Sequence, residues 1–205
     1  MNFLAHALLA GETPALIVGG VVGDWVKGVL PGALPADLAQ GVALHRAIDV
    51  FAETHPAFCA SRARMSLARR RYAGVLVDIF YDHLLARDWS QHHPQALGHY
   101  CARIHQYLDH RLDDLPERAR PALEWMAREH WLERYADIDA IGEVLERMSQ
   151  RVRRPNPLAG GELELRAEIT AFEADFRAWL ADARVFVALW RQHNLGQHGG
   201  PSTSG

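Results

Sequence analysis

The sequence has little cysteine and no long apolar run. Its 205 residues contain two cysteines, Cys59 and Cys101, with no CxxC pair, so a disulfide framework is excluded and we expect two reduced thiols. The longest run without a charged residue or histidine, 13–23, has 11 residues, whereas a membrane-spanning helix needs roughly 20. The apolar start also lacks the basic segment of a secretory signal, because no Lys or Arg precedes Lys27. We therefore expect a soluble, cytoplasmic protein.

An excess of charge of one sign is missing too. Lys and Arg number 22 against 25 Asp and Glu, a net charge of -3, so the composition gives no reason to expect nucleic acid as a partner. Apolar residues make up 49%, which excludes disorder of the whole chain. The unusual feature is 12 histidines. Histidine is the commonest metal ligand and a frequent general acid or base, so this excess points to a site.

Helical periodicity dominates the chain, and no stretch alternates apolar and polar residues as a half-buried strand does. The sequence therefore predicts an all-α fold, a single compact multi-helix domain over residues 1–195 followed by a flexible tail, 196–205. The predicted helices lie at 2–10, 14–28, 36–54, 58–88, 94–112, 117–135, 137–151 and 162–193.

Four segments in the first 83 residues place polar side chains of the catalytic or metal-ligating types at helical spacing. Residues four apart share one face of a helix. The strongest case is the last segment, because apolar residues surround its two aspartates on nearly every side and predict a buried helix. The segments contain Asn2 with His6, Asp24 with Lys27, His45 with Asp49, and Asp78 with Asp82 and His83.

Burying two carboxylates one helical turn apart is unfavourable unless a cation or hydrogen-bond donors compensate. A divalent metal with oxygen and imidazole ligands would do so, and such ligands suit Mn, Mg, Fe or Zn. Each segment also has a purely structural interpretation. His6 could be a satisfied core histidine, Asp24 a cap or an ion-pair partner of Lys27, and His45 with Asp49 a solvated pair.

Basic residues are unevenly distributed. In a chain that is slightly acidic overall, clustered arginines are typical of a contact with an acidic partner, although a solvated helix face would have the same pattern. The two groups are Arg62, Arg64, Arg69, Arg70 and Arg71, and Arg147, Arg151, Arg153 and Arg154.

Taken together, these segments resemble the bacterial acyl carrier protein phosphodiesterase family. Each motif alone is weak, but their order and spacing are specific, and the resemblance runs from residue 1 to about 190. The segments that carry it are 1–6 (MNFLAH), 23–28 (GDWVKG), 41–49 (GVALHRAID), 54–56 (THP) and 78–89 (DIFYDHLLARDW), with 131–135 and 151–155 downstream.

The resemblance implies a manganese-dependent hydrolase, with Mg²⁺ or another divalent ion as alternatives, that removes 4′-phosphopantetheine from holo-acyl carrier protein and leaves the apo form. It also implies a helical fold like that of the HD phosphohydrolases. This chain departs from that superfamily because it contains no His-Asp dipeptide. Its metal ligands must therefore form a rearranged set.

The expected roles follow from this resemblance. Lys27 or Arg46 would bind the phosphate, and one of His6, His45 or His83 would protonate the leaving serine oxygen. The carrier protein would dock on basic side chains. The expected metal ligands are Asp24, His45, Asp49, Asp78 and Asp82, and the expected docking residues are Arg69, Arg70, Arg71, Arg151, Arg153 and Arg154.

Two other functions fit the residues as well. One is a phosphohydrolase acting on a nucleotide or another small phosphate ester, since a shared fold does not fix the substrate. The other is a helical interaction module without catalysis, whose buried carboxylates form structural ion pairs. The oligomeric state does not follow from the sequence.

Overall fold

A computed structural model describes residues 2–152 and 154–195. Arg153 and the predicted tail at 196–205 lie outside these residues. Within them, every regular element is helical, which confirms the all-α prediction. The α-helices are α1 (Phe3–Leu9), α2 (Pro14–Val22), α3 (Ala36–Thr54), α4 (Pro56–Arg64), α5 (Ala73–Arg87), α6 (Leu97–His110), α7 (Arg120–Arg128), α8 (Trp131–Arg134), α9 (Ile138–Arg151), α10 (Glu162–Ala167) and α11 (Ile169–Leu195).

The predicted helix at 58–88 is wrong, because the structure divides it. α4 ends at Arg64 and α5 begins at Ala73. Between them Met65 is buried with an extended backbone, and the backbone N–H of Ser66 donates to Glu164 of α10 at 2.8 Å. A tertiary hydrogen bond and a buried side chain thus override the helical periodicity of this stretch.

Three further predicted helices are interrupted. The segment 117–135 breaks at His130, whose φ of 48° lies in the left-handed region. The segment 162–193 divides into α10 and α11 at Glu168. The segment 14–28 ends as an α-helix at Val22 and continues as one 3₁₀ turn, Gly23–Trp25. Asp24 therefore lies in a 3₁₀ turn that directly follows α2.

Helix α5 crosses the interior of the protein, as its apolar surroundings predict. Residues 76, 77 and 79–86 are all buried. The predicted apolar stripe of α11 also lies in the core, where Phe172, Phe176 and Trp179 are buried. None of the helices in the described residues combines the length and apolar character needed to cross a bilayer.

Two glycines bring α2 and α3 together. A Cβ atom at Gly19 would lie 2.6 Å from Cα of Gly41, and one at Gly41 would lie 2.9 Å from Cα of Gly19. Only glycine permits this approach of two helix backbones. The close packing sets the middle of α3, with His45, against the last turn of α2.

Candidate metal site

Three side chains from two helices converge on one point. His6 of α1 and His45 and Asp49 of α3 each offer a ligand atom, and these atoms all lie within 4.8 Å of one another. Asp49 Oδ1 is 3.1 Å from His6 Nε2, and Asp49 Oδ2 is 3.1 Å from His45 Nε2. The two imidazole rings stack with their centroids 4.0 Å apart. One carboxylate therefore bridges two imidazoles; we call these three residues the ligand cluster.

The orientation of His45 is fixed from behind by α2. Its Nδ1 lies 2.8 Å from the carbonyl oxygen of Gly20, so the Nδ1–H donates there and Nε2 faces Asp49. A carbonyl partner of this kind is what holds metal-ligating histidines in position. Behind the ring, a Cβ atom at Gly23 would lie 2.2 Å from its Cγ. The ring thus has one orientation, set by two glycines of a neighbouring helix end.

The other imidazole is buried and neutral. Burial lowers the pKa of His6, and the nearby His45 lowers it further, to about 4, although Asp49 opposes the shift. A neutral imidazole has a lone pair available for a metal. Within the described residues its Nδ1 has no hydrogen-bond partner. His6 is thus a buried histidine with one nitrogen against Asp49 and the other without a partner in the part of the chain that the structure describes.

The charges of the cluster favour a cation at its centre. Burial raises the pKa of Asp49, but hydrogen bonds from His45 and His6 outweigh it and hold that pKa well below its usual range. Burial lowers the pKa of His45, but Asp24 and Asp49 outweigh it and raise this pKa to about 9. A proton or a metal ion can supply this positive charge, and the two compete for His45.

Two more of the predicted ligands lie at the edge of the cluster. Asp24 Oδ1 is 3.8 Å from His45 Nε2, beyond hydrogen-bond distance but close enough for electrostatic attraction. Asp78 of α5 is half-buried, and its desolvation raises its pKa, a shift to which repulsion from the negative charges of Asp49 and Asp24 adds. The structure thus brings His45, Asp49 and His6 together, with Asp24 beside His45 and with Asp78 close enough to Asp49 and Asp24 to feel their charges. His6, predicted as a general acid, here joins the candidate ligands.

Asp82 has a different place from the one predicted. Its two carboxylate oxygens accept the backbone N–H groups of Leu4 at 2.9 Å and Ala5 at 2.8 Å. These are donors of the first turn of α1, which an N-cap side chain normally satisfies, and Asn2 makes no such bond. Burial raises the pKa of Asp82 to about 7, although the two N–H groups oppose the shift. Asp82 therefore caps α1 and lies outside the ligand cluster.

His83 also points away from the cluster. Its Nδ1–H donates to the carbonyl oxygen of Tyr135, 2.8 Å away, and burial lowers the pKa of its ring. Arg46 donates to the carbonyl oxygens of Gly28 at 2.9 Å and Val26 at 3.1 Å, so it fastens the segment that follows Asp24. Lys27, in that same segment, is exposed.

The predicted docking arginines differ in their surroundings. Arg69 is used internally, since it donates to Glu164 at 3.1 Å and to the carbonyl oxygen of Ala159 at 3.0 Å. These bonds hold the segment before α5, which carries Arg70 and Arg71, against the segment after α9, which carries Arg154. Arg151 lies over the ring of Trp125, 5.3 Å from its centroid. The exposed members of the set are Arg70, Arg71, Arg151 and Arg154, and Arg153 lies outside the described residues.

Comparison with known proteins gives one family. The model of the acyl carrier protein phosphodiesterase family matches residues 1–183. A protein named acyl carrier protein phosphodiesterase from Photorhabdus laumondii is 32% identical over 86% of this chain and 89% of its own length. Proteins of the same name from Yersinia pestis and an Enterobacter species are 34% and 33% identical, over 78% and 91% of this chain and 83% and 96% of theirs. No solved structure gives a significant match, so the relation to HD phosphohydrolases stays a prediction.

Proposed function

Because this chain belongs to the acyl carrier protein phosphodiesterase family, we propose that it hydrolyses the phosphodiester between 4′-phosphopantetheine and the serine of holo-acyl carrier protein, and that the apo carrier is the product. One observation carries the proposal. Segments that are far apart in sequence and resemble the family, 1–6, 23–28, 41–49 and 78–89, meet at one place in the fold. Each of them contributes a histidine or an aspartate there.

The ligand cluster fits a divalent metal ion. Its donors are two imidazole nitrogens and a carboxylate, a mixed set that suits Mn²⁺, whereas Mg²⁺ prefers oxygen ligands alone. His6, His45 and Asp49 would hold the ion, with Asp24 and Asp78 as further oxygen donors. When bound, the ion would neutralise charge on the phosphoryl oxygens and lower the pKa of a water molecule.

The protein's own residues would position the phosphodiester. Arg46 follows His45 on α3, and its guanidinium has N–H groups beyond the two that bind the carbonyls of Val26 and Gly28. These groups, with the exposed Lys27, would bind the non-bridging oxygens, since phosphoryl transfer depends on positioning and charge stabilisation.

The experiment that tests this activity follows the mass of the carrier. We expect the purified protein with Mn²⁺ to remove one phosphopantetheine from holo-acyl carrier protein, as seen by intact mass spectrometry. His45→Ala should abolish the loss, and His110→Ala, a change at an exposed histidine of α6, should not. A carrier whose mass stays unchanged with the wild-type protein would contradict the proposal.

The exposed arginines on either side of the Arg69–Ala159 contact would bind the acidic carrier. Arg70→Glu together with Arg154→Glu should raise KM for the carrier with little change in kcat, because neither residue contacts the ligand cluster. Arg184→Glu, at an exposed arginine of α11, is the matched control. An unchanged KM in the double variant would contradict docking at this surface.

A further inference from the structure

An open groove runs along α3 and α11 beside the ligand cluster. It has a volume of about 490 Å³. Its wall on α3 is continuous over two helical turns, and α11 supplies one aromatic ring from the other side. The lining residues are Arg46, Ala47, Val50, Phe51, Thr54 and Phe186.

The floor of the groove is apolar and open to solvent. Val50 is 68% exposed, whereas a valine that packs against a neighbouring element is buried. Phe51 and Phe186 stack with their ring centroids 4.6 Å apart and their planes 15° apart. The two rings form a platform next to the exposed valine, which a small apolar group could cover.

The groove and the ligand cluster lie side by side on the same part of α3. Arg46 follows His45, and Val50 follows Asp49, so the groove and the cluster share the same two turns of α3. Successive residues of a helix project about 100° apart, which places the groove beside the cluster on the same helix. From Arg46 to Thr54 the helix rises about 12 Å. A linear group bound at the cluster could therefore lie along it.

We infer that this groove binds the phosphopantetheine arm of the substrate, an inference that rests on the proposed function. From the phosphate outwards the arm has an anion, a carbon with two methyl groups, and then a hydroxyl and two amides. The groove has the same order, with the guanidinium of Arg46 first, the apolar floor at Val50 next and Thr54 at the far end. The Thr54 hydroxyl donates to the carbonyl oxygens of Val50 and Phe51 at 3.2 Å, so its oxygen would accept a hydrogen bond from an amide N–H of the arm. By binding this arm, the groove would distinguish the proposed substrate from other phosphodiesters.

Calorimetry tests this without turnover. Titrations of the wild-type protein with Mn²⁺ present would compare 4′-phosphopantetheine with inorganic phosphate. We expect the arm-bearing ligand to bind at least tenfold more tightly, which is about 1.4 kcal/mol. Val50→Asn should reduce this preference at least threefold. Val185→Asn is the matched control, since Val185 is 61% exposed on α11 and does not line the groove; it should keep the preference.

Each outcome has one meaning. Equal affinity for the two ligands in the wild-type protein, or the same loss of preference in both variants, would overturn the inference. Circular dichroism of both variants keeps a folding defect from being mistaken for a lost contact. If the preference is found as expected but the wild-type protein leaves holo-acyl carrier protein intact, the groove stands and the proposed reaction fails.

Discussion

The middle of α3 and the middle of α5 carry similar polar pairs with opposite uses. In α3, the Asp49 side chain is 48% exposed, and its two oxygens lie 3.1 Å from Nε2 of His6 and 3.1 Å from Nε2 of His45. In α5, Asp82 is fully buried and both its oxygens accept backbone N–H groups of α1. The partners of Asp49 are ionisable side chains, whereas those of Asp82 are backbone donors, so of these two carboxylates we propose only Asp49 as a metal ligand. In both helices the two polar residues are four positions apart, so this spacing does not determine how the carboxylate is used.

The largest effect is expected at the α3 pair. Asp49→Ala removes the carboxylate that bridges the two imidazoles, and we expect Mn²⁺ affinity and kcat/KM to fall by at least about 100-fold, since losing only a supporting partner of a ligand costs 10–100-fold. Metal titration and carrier turnover measure this. The free energy of unfolding should also fall, by about 1–3 kcal/mol, because the buried Nε2 atoms of His6 and His45 would lose their shared partner.

The next effect, at α5, is on stability. Asp82→Ala leaves the N–H groups of Leu4 and Ala5 buried without an acceptor, and each such group costs about 1–3 kcal/mol. We expect the free energy of unfolding in urea to fall by about 2–4 kcal/mol. Asp82→Asn, which keeps one acceptor oxygen, should lose less.

The folded fraction of both Asp82 variants should still bind Mn²⁺ with the wild-type stoichiometry. Loss of metal from a well-folded Asp82→Asn protein would break the comparison, because it would make Asp82 a ligand after all.

The sequence predicted metal ligands on α3 and α5 and gave the greatest weight to α5, whereas the structure gathers side chains of α1 and α3 in the ligand cluster. Apolar neighbours correctly predicted that α5 is buried, and a buried carboxylate does need compensation. The compensation for Asp82 comes from the first turn of α1, 78 residues away in sequence, and no local pattern reveals such a partner. One signal was present, since Asn2 precedes α1 without acting as its cap.

The helix boundaries failed for a related reason. The periodicity of 58–88 is helical throughout, yet the bond from Ser66 to Glu164 and the buried Met65 hold the chain out of a helix. In α3, whose periodicity no long-range bond interrupts, the predicted and observed bounds coincide at 36–54. Long-range polar contacts explain both kinds of error.

The third effect is a pH dependence of Mn²⁺ binding, which we expect to depend on His45 of α3 and not on Asp82 of α5. Burial lowers the pKa of His45, but Asp24 and Asp49 outweigh it and raise the pKa from 6.5 to about 9. A metal must therefore displace a proton below pH 9, and apparent Mn²⁺ affinity should fall about tenfold for each pH unit below that value. Calorimetry between pH 6 and 9 checks the slope, which Asp82→Asn should retain. Without added metal, the same shift stabilises the folded protein fully below pH 6.5, and this contribution is lost as the pH rises through 9.

The smallest effect is expected from alanine substitutions at two glycines, Gly23 beside His45 and Gly74 in α5. These positions differ in the space that is available for a Cβ atom. At Gly23, the Cβ of an alanine would lie 2.2 Å from Cγ and 2.7 Å from Nδ1 of His45, whereas at Gly74 of α5 nothing lies within 4 Å of an added Cβ. Gly23→Ala must turn the imidazole away from the Gly20 carbonyl, and we expect Mn²⁺ affinity to fall about tenfold, as when a ligand loses its supporting partner.

Gly74→Ala should leave metal affinity unchanged and add no more than about 0.5–1 kcal/mol to the free energy of unfolding, because Gly74 lies in the first turn of α5, where the preference of a helix for alanine over glycine is at most that of the interior. Metal titration and urea unfolding of both variants measure the difference. Equal metal affinities would mean that the ring of His45 adapts to the added methyl group. In that case the orientation of His45, which α2 fixes, would not explain why we propose metal binding by α3 and not by α5.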